Sequence, residues 1–256
     1  MSHSAADVLA FWNKRAELGK IAGTNDFMLT SIEQKFLLET TPSQSRVLDI
    51  GCGTAATLIM LAQEKACHGI GFDYAPEMVR SSKTTVSDLG LTNSIEIFQN
   101  SVPPVPVEYG TFDVVITNRS LINLQSAAQQ KLAVQSIPAV LRPGGIYIMI
   151  ECSIDGSEHT NDLRKMLDLT PIDPPWHNLF LSEKEVEDWQ LSDFKIEKFI
   201  HVSSLYHFLS RVVYAKWAEM HKEELRYDSD LNRIALMLPQ EIGKFGPVKA
   251  WIWRKY

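Results

Sequence analysis

Four polar residues, Asp49, Asp73, Asn118 and Glu151, each stand in or at the end of a short apolar run of this 256-residue sequence. Asp49 lies in Val47-Leu48-Asp49-Ile50-Gly51-Cys52-Gly53-Thr54, an apolar run that breaks into a glycine turn. Glycine lets a backbone turn tightly and pass close to a ligand. Ala55, Leu58, Leu61 and Ala62 follow at helical spacing, so strand, turn and helix are expected, with the helix's first N–H groups unpaired. An acid beside this turn suits a ligand carrying an amine or a positive charge better than a bare pyrophosphate. Asp73 ends Gly69-Ile70-Gly71-Phe72-Asp73. A carboxylate there can accept both hydroxyls of a ribose. It can also cap the helix that opens at Pro76-Glu77, and the two uses are compatible.

Gly51-Cys52-Gly53-Thr54-Ala55-Ala56 also fits a relaxed dinucleotide fingerprint, with Asp73 about 20 residues on. Asp49 weighs against that reading, because a dinucleotide turn needs no carboxylate before its first glycine. The elements that must position these residues alternate: strands at 46–50, 68–72, 94–98, 111–117 and 145–151, helices at 55–65, 76–89 and 126–140. Alternation of this kind predicts a parallel sheet covered on both faces. Ligands then sit beyond the carboxyl ends of the strands, where strand order reverses, and all four polar residues fall at such ends.

Four segments, the acid-bearing glycine turn, the acid after the second strand, Phe112-Asp113-Val114-Val115 and Leu141-Arg142-Pro143-Gly144-Gly145, occur in the order found in class I S-adenosylmethionine-dependent methyltransferases. The chain resembles that family over roughly residues 46–151. The resemblance implies a Rossmann-like α/β fold with a seven-stranded, mostly parallel sheet and S-adenosylmethionine as cofactor. It implies that Asp49 lies near the donor's methionine end, that Gly51 and Gly53 give close backbone approach, and that Asp73 holds the ribose. Many members carry an acid after the third strand; here the matching stretch is Gln99-Asn100-Ser101-Val102, so Asn100 or Ser101 would have to meet the adenine. Asn118 and Arg119 follow the fourth strand, where the family commonly faces the methionine portion. Residues 117–124 and 175–178 also resemble methyltransferases of bacterial surface-glycan and nucleotide-sugar pathways.

The flanks differ from the core. Two N-terminal helices are expected, at 5–19 and 27–40, and residues 1–45 read as a helical lid in which Trp12, Arg15 and Thr24-Asn25-Asp26 fold over the cofactor, or serve packing and capping instead. Residues 46–151 form the cofactor core and 152–256 an acceptor-side half of one domain. A helix at 162–169, a proline loop Thr170–Trp176 and a strand from Phe194 to Val202 are expected, then helices at 205–226 and 229–238 and a closing strand around 248–252. About 45 residues, roughly 203–247, stand where the family's last two strands normally meet in a short hairpin. They are expected to cap the acceptor pocket, with Tyr206, His207 and Arg211 as recognition residues or as packing.

Methyl transfer needs alignment, exclusion of water and loss of a proton from the acceptor. His177, after the proline loop, is the first candidate base because histidine titrates near working pH. Glu151 is the second, or a ligand for an acceptor hydroxyl. A net charge of −6 and a pI near 5.7 oppose a polyanionic substrate, so nucleic acid is not expected as a partner. The three cysteines, Cys52, Cys67 and Cys152, lack metal-ligand spacing and read as reduced thiols of a cytoplasmic protein, and no metal is expected. No apolar run reaches membrane-span length and the N-terminus does not read as a secretion signal. The expected activity is methyl transfer to a small-molecule acceptor, on an oxygen of a sugar, nucleotide-sugar or similar metabolite. The alternatives are an RNA or protein methyltransferase and a non-catalytic S-adenosylmethionine-binding protein.

Overall fold

In β1 (Arg46–Ile50), β4 (Phe112–Asn118) and β5 (Leu141–Cys152), consecutive side chains are buried rather than alternate ones. Successive strand residues point to opposite faces, so both faces of the sheet are covered. The computed structural model describes residues 4–189 and 191–256. Its seven strands lie in the order β3-β2-β1-β4-β5-β7-β6, with β2 at His68–Asp73, β3 at Ile95–Gln99, β6 at Phe194–Ile200 and β7 at Val248–Lys255. The first five strands pair in parallel; β7 runs antiparallel to both neighbours. Strand order reverses between β1 and β4, which opens a crevice beyond the tips that carry Asp49 and Asn118.

The helices of the cofactor half are α3 (Ala56–Lys65), α4 (Pro76–Asp88) and α5 (Ala127–Ser136), close to expectation. The differences lie at the flanks. The first helix, α1 (Ala5–Arg15), gives way to a tighter turn over Ala16–Ile21, where Gly19 takes φ +55°. α2 spans Phe27–Thr40 as expected. The helix expected at 162–169 begins earlier: α6 runs Ile154–Met166 because the Ser153 hydroxyl accepts the Gly156 N–H and starts it. A short α7 follows at Glu183–Glu187. Segment 203–247 is helical but broken, into α8 (Ser204–Phe208), a wide turn over Leu209–Val213, α9 (Tyr214–His221) and α10 (Asp230–Leu236).

A buried acid ties that insertion to the N-terminal segment. Asp26, 2% exposed, accepts the Leu29 N–H at 3.0 Å and so caps α2. The same carboxylate accepts the Tyr206 hydroxyl at 2.7 Å and pairs with Arg211. Tyr206 and His207 are buried, and the His207 Nδ1 lies 2.9 Å from the Ser203 hydroxyl. Tyr206 and Arg211 therefore clamp the insertion to α2, His207 is held within the insertion by Ser203, and none of the three lines the cavity at the strand tips. A smaller cluster of Ala16, Ala22, Ala75 and Met78, with Leu9 and Trp12 packed on it, seats the N-terminal segment against the start of α4.

Replacing Asp26 with Asn leaves the partly buried Arg211 without its charge partner and weakens a cap. Asp26→Asn is expected to cost about 2–3 kcal/mol, against about 1 kcal/mol for Tyr206→Phe, read by denaturant unfolding.

Candidate active site

The glycine turn is held by β2. The N–H groups of Gly51 and Cys52 both donate to the Phe72 carbonyl, at 2.8 and 3.0 Å. Gly51 has φ +71°, and a Cβ there would sit 2.5 Å from the Ser120 Cβ, so only glycine lets the turn meet the loop after β4. The Gly53 N–H donates to the Asp73 Oδ2 at 3.0 Å, and the Ala75 N–H donates to Oδ1 at 2.9 Å. Asp73 thus orients both the glycine turn and the approach to α4, and each oxygen keeps a lone pair for a ligand. No side chain caps the N-terminus of α3, whose preceding Ala55 is left-handed.

Asp49 is 2% exposed, and its Oδ2 is buried with no hydrogen-bond partner. Burial, reinforced by the neighbouring charge of Asp73, pushes its carboxyl up to about 7. Asp73 is raised by burial as well, against the pull of its backbone donors. Cys52 in the turn is raised by burial first and by both acids next, which keeps it an inert thiol.

Beyond β4 the chain turns sharply. Arg119 adopts φ +53°, and its N–H donates to the Ile150 carbonyl at 2.7 Å. Its guanidinium pairs at 3.1 Å with Glu33 of α2, an acid that is 0% exposed and raised by burial. Arg119 first, and Asn118 beside it, oppose that rise. Glu151 is 0% exposed; its oxygens accept the N–H groups of Ser120, Leu121 and Ile122 at 3.2, 3.0 and 3.3 Å. It does not belong to the cavity wall. The expectation that Glu151 acts as a base or binds an acceptor is corrected: its lone pairs anchor the 120–122 loop. Burial raises its carboxyl to about 7, opposed by those donors.

These elements enclose one cavity of about 680 Å³. Asp49, Gly51, Gly53, Asp73, Asn100, Ser101, Asn118, Arg119, Trp12, Arg15, Thr24 and His177 all line it, whereas Asp26, Glu151, Tyr206, His207 and Arg211, also selected from the sequence, do not. Asn100 donates from Nδ2 to the Tyr109 hydroxyl at 3.1 Å and accepts the Ser101 N–H at 2.8 Å, so its amide shapes the loop there. The roof comes from α1 and the 22–25 turn. Trp12 donates from Nε1 to Asn123 Oδ1 at 3.1 Å; Arg15 donates to the carbonyls of Ala22 and Ile21 at 2.7 and 2.6 Å; the Thr24 hydroxyl accepts the Asp26 N–H at 3.1 Å. Of segment 203–247, Tyr227 is the residue on the wall among the described residues, so the insertion braces the roof instead of forming it.

His177 sits against aromatic rings, its centroid 4.1 Å from Phe11, 5.2 Å from Trp176 and 5.5 Å from Trp12. Burial first, and Arg15 second, lower its pKa to about 4. It stays neutral near pH 7, so the expectation of a histidine titrating at working pH is corrected. Sequence reasoning missed Glu33, Tyr74, Ser120 and Asn178 on the wall. Tyr74, Ser120 and Asn178 adjoin Asp73, Arg119 and His177 and were within reach of a local signal; Glu33 arrives from α2.

The wall fits the group that the four segments imply. Asp49 Oδ2, Tyr74 Oη, Asn118 Oδ1 and Ser120 Oγ are buried without partners on the cavity wall, where bound ligand groups would satisfy them. Asp49 and Asn118 would hold its amino-acid end, Asp73 its ribose, and Tyr74 with the Asn100–Val102 loop its base.

The anchor role of Glu151 makes a testable difference. Its folded-state pKa lies above the usual 4.5, so the native state holds the proton more tightly and stability falls as pH rises from about 4.5 to about 7. Glu151→Gln is expected to flatten that decline by about 1–3 kcal/mol and to speed amide exchange at residues 120–122. Denaturant unfolding across pH and hydrogen exchange read the two effects.

A methyltransferase domain family model matches residues 42–196, more than half of the chain. The demethylmenaquinone methyltransferase of Lactiplantibacillus plantarum is 31% identical over 113 residues, 43% of this chain and 46% of that protein. The chain spans about half the length of the curated relatives it matches. Among solved structures, the complex of the Haloferax volcanii Trm112 methyltransferase activator with its partner contains a similar chain, with TM-score 0.63 and 16% identity over 95% of this chain and 96% of that one. Streptomyces coelicolor geranyl diphosphate C-methyltransferase, solved with S-adenosyl-L-homocysteine, aligns with TM-score 0.58 and 11% identity over 89% of this chain and 80% of that one. At such identities the structural likeness concerns the fold alone. With the glycine turn, the two strand-tip acids and the family model in agreement, the chain belongs to the methyltransferase domain family.

Proposed function

We propose that this protein transfers a methyl group from S-adenosylmethionine to an oxygen of a small molecule held in the roofed cavity. The observation that carries the reading is Asp49: a buried carboxylate oxygen without a partner, beside a glycine turn that admits no side chain. When bound, S-adenosylmethionine supplies a methyl group on a positively charged sulfur, already activated for displacement. The chain's own work is to bind, align and exclude water. Asp49 offers its free oxygen to the donor's cationic end, and Asp73 offers its remaining lone pairs to the ribose hydroxyls. Arg15, which bolts the 21–22 carbonyls to α1, and Trp12, which bolts α1 to Asn123, keep the roof closed over the reacting groups. The roof and the net charge of −6 support a small acceptor over RNA. His177, neutral at working pH, serves as a hydrogen-bond acceptor for the incoming hydroxyl.

The elevated Asp49 gives the reading a pH signature. A cationic ligand favours the ionised carboxylate, so binding below about pH 7 must release a proton. Donor affinity is expected to rise about tenfold per pH unit up to about 7 and then level off. Asp49→Asn is expected to lose that dependence and about 10- to 100-fold in affinity, and Asp73→Ala a similar amount. Calorimetry in buffers of differing ionisation enthalpy measures both. Absence of any donor binding by the intact protein overturns the proposal, as does turnover confined to RNA or protein acceptors.

A further inference from the structure

The cavity wall carries an acid and a guanidinium that are both uncommitted. Asp49 is buried, and its Oδ2 has no hydrogen-bond partner. Arg15 lines the same cavity, and its Nε donates to the Ala22 carbonyl at 2.7 Å. Its Nη2 donates to the Ile21 carbonyl at 2.6 Å and to Asn25 Oδ1 at 3.5 Å. All three partners are neutral, and among the described residues no acid pairs with this guanidinium. The bonds hold the planar group still and leave the N–H groups of Nη1 without a partner among the described residues. The charge is felt inside the cavity, where Arg15 is the second cause, after burial, that lowers His177. The other arginine on the wall, Arg119, is already paired at 3.1 Å with buried Glu33.

The segment that carries Arg15 and its partners runs over the tip that bears Asp49. Ala22 packs with Ala75 and Met78 at the head of α4, beyond β2. Asp26, at the other end of the 22–25 turn, caps α2, and its charge acts on Glu33 and on Arg119 beyond β4. β1, with Asp49, lies between β2 and β4 in the sheet. An acid and a guanidinium that share a cavity, and pair neither with each other nor with another ion, are complementary to a ligand carrying both charges.

We infer that Arg15 binds the α-carboxylate of the donor's amino-acid end while Asp49 faces its ammonium, so that the site selects a zwitterion over the same nucleoside lacking the carboxylate. The inference rests on the function proposed above and gives that site a second charged anchor. Anchors at both charges fix the amino-acid end at two points and so set the direction of the neighbouring sulfur's methyl group. Arg15 then has two uses in one side chain: Nε and Nη2 tie the roof to α1, and Nη1 ties the ligand to the roof.

The test titrates two compounds calorimetrically, S-adenosylhomocysteine and S-adenosyl-3-thiopropylamine, which is the same molecule without its carboxylate. The unaltered protein is expected to bind S-adenosylhomocysteine about tenfold or more tightly than the amine. Arg15→Gln is expected to weaken S-adenosylhomocysteine about tenfold and to leave the amine within about twofold. Arg15→Lys, which keeps the charge, is expected to hold S-adenosylhomocysteine within about fivefold of the unaltered protein. Equal weakening of both compounds by Arg15→Gln means that Arg15 only braces the roof, and overturns the inference. Unchanged S-adenosylhomocysteine binding by Arg15→Gln also overturns it, and leaves the guanidinium to an anionic acceptor. In both cases the function proposal stands. If the unaltered protein binds neither compound, the function proposal fails and this inference falls with it.

Discussion

Two carboxylates, Asp49 and Asp73, are buried at the tips of adjacent parallel strands with no lysine or arginine paired to either among the described residues. Desolvating one such acid is costly and desolvating two neighbours is more so. The fold tolerates them through backbone donors on Asp73 and through retention of a proton near neutrality on Asp49. Much of the surrounding architecture follows from that constraint. β1 and β2 must be parallel neighbours for the tips to meet, and the glycine turn must pass under Ser120 to leave the acids facing a cavity.

The loop after β4 is the second fixed point. It carries Asn118, Arg119 and Ser120 to the cavity, yet it is irregular backbone in a buried setting. Such backbone is stable only if its N–H groups find partners. Glu151 supplies them, three donors to one carboxylate. The Glu33–Arg119 pair then couples this loop to α2, and Asp26 at the head of α2 couples α2 to the insertion. The roof is thus braced from behind by buried polar contacts.

Phe11 packs against His177, and burial, with the Arg15 charge second, lowers the imidazole to about 4 and keeps it uncharged near pH 7.

Sequence by itself determined the sheet core and the donor half of the site. Continuous apolar runs ending in Asp49, Asp73 and Asn118, a glycine turn and helical periodicity are local signals, and parallel sheets place strand tips together as a class property. Segment bounds such as Phe27–Thr40 were readable for the same reason. Tertiary structure alone decided the roles of Glu151, His177 and Arg211. Glu151 and His177 are titratable and polar, and in sequence they look like catalysts. Glu151 instead meets three amides some 30 residues away, Arg211 meets Asp26 at the other end of the chain, and His177 meets Phe11 and Trp12 from α1. A side chain's pKa and free lone pairs are set by its neighbours in space, and no local pattern encodes neighbours that distant in the chain.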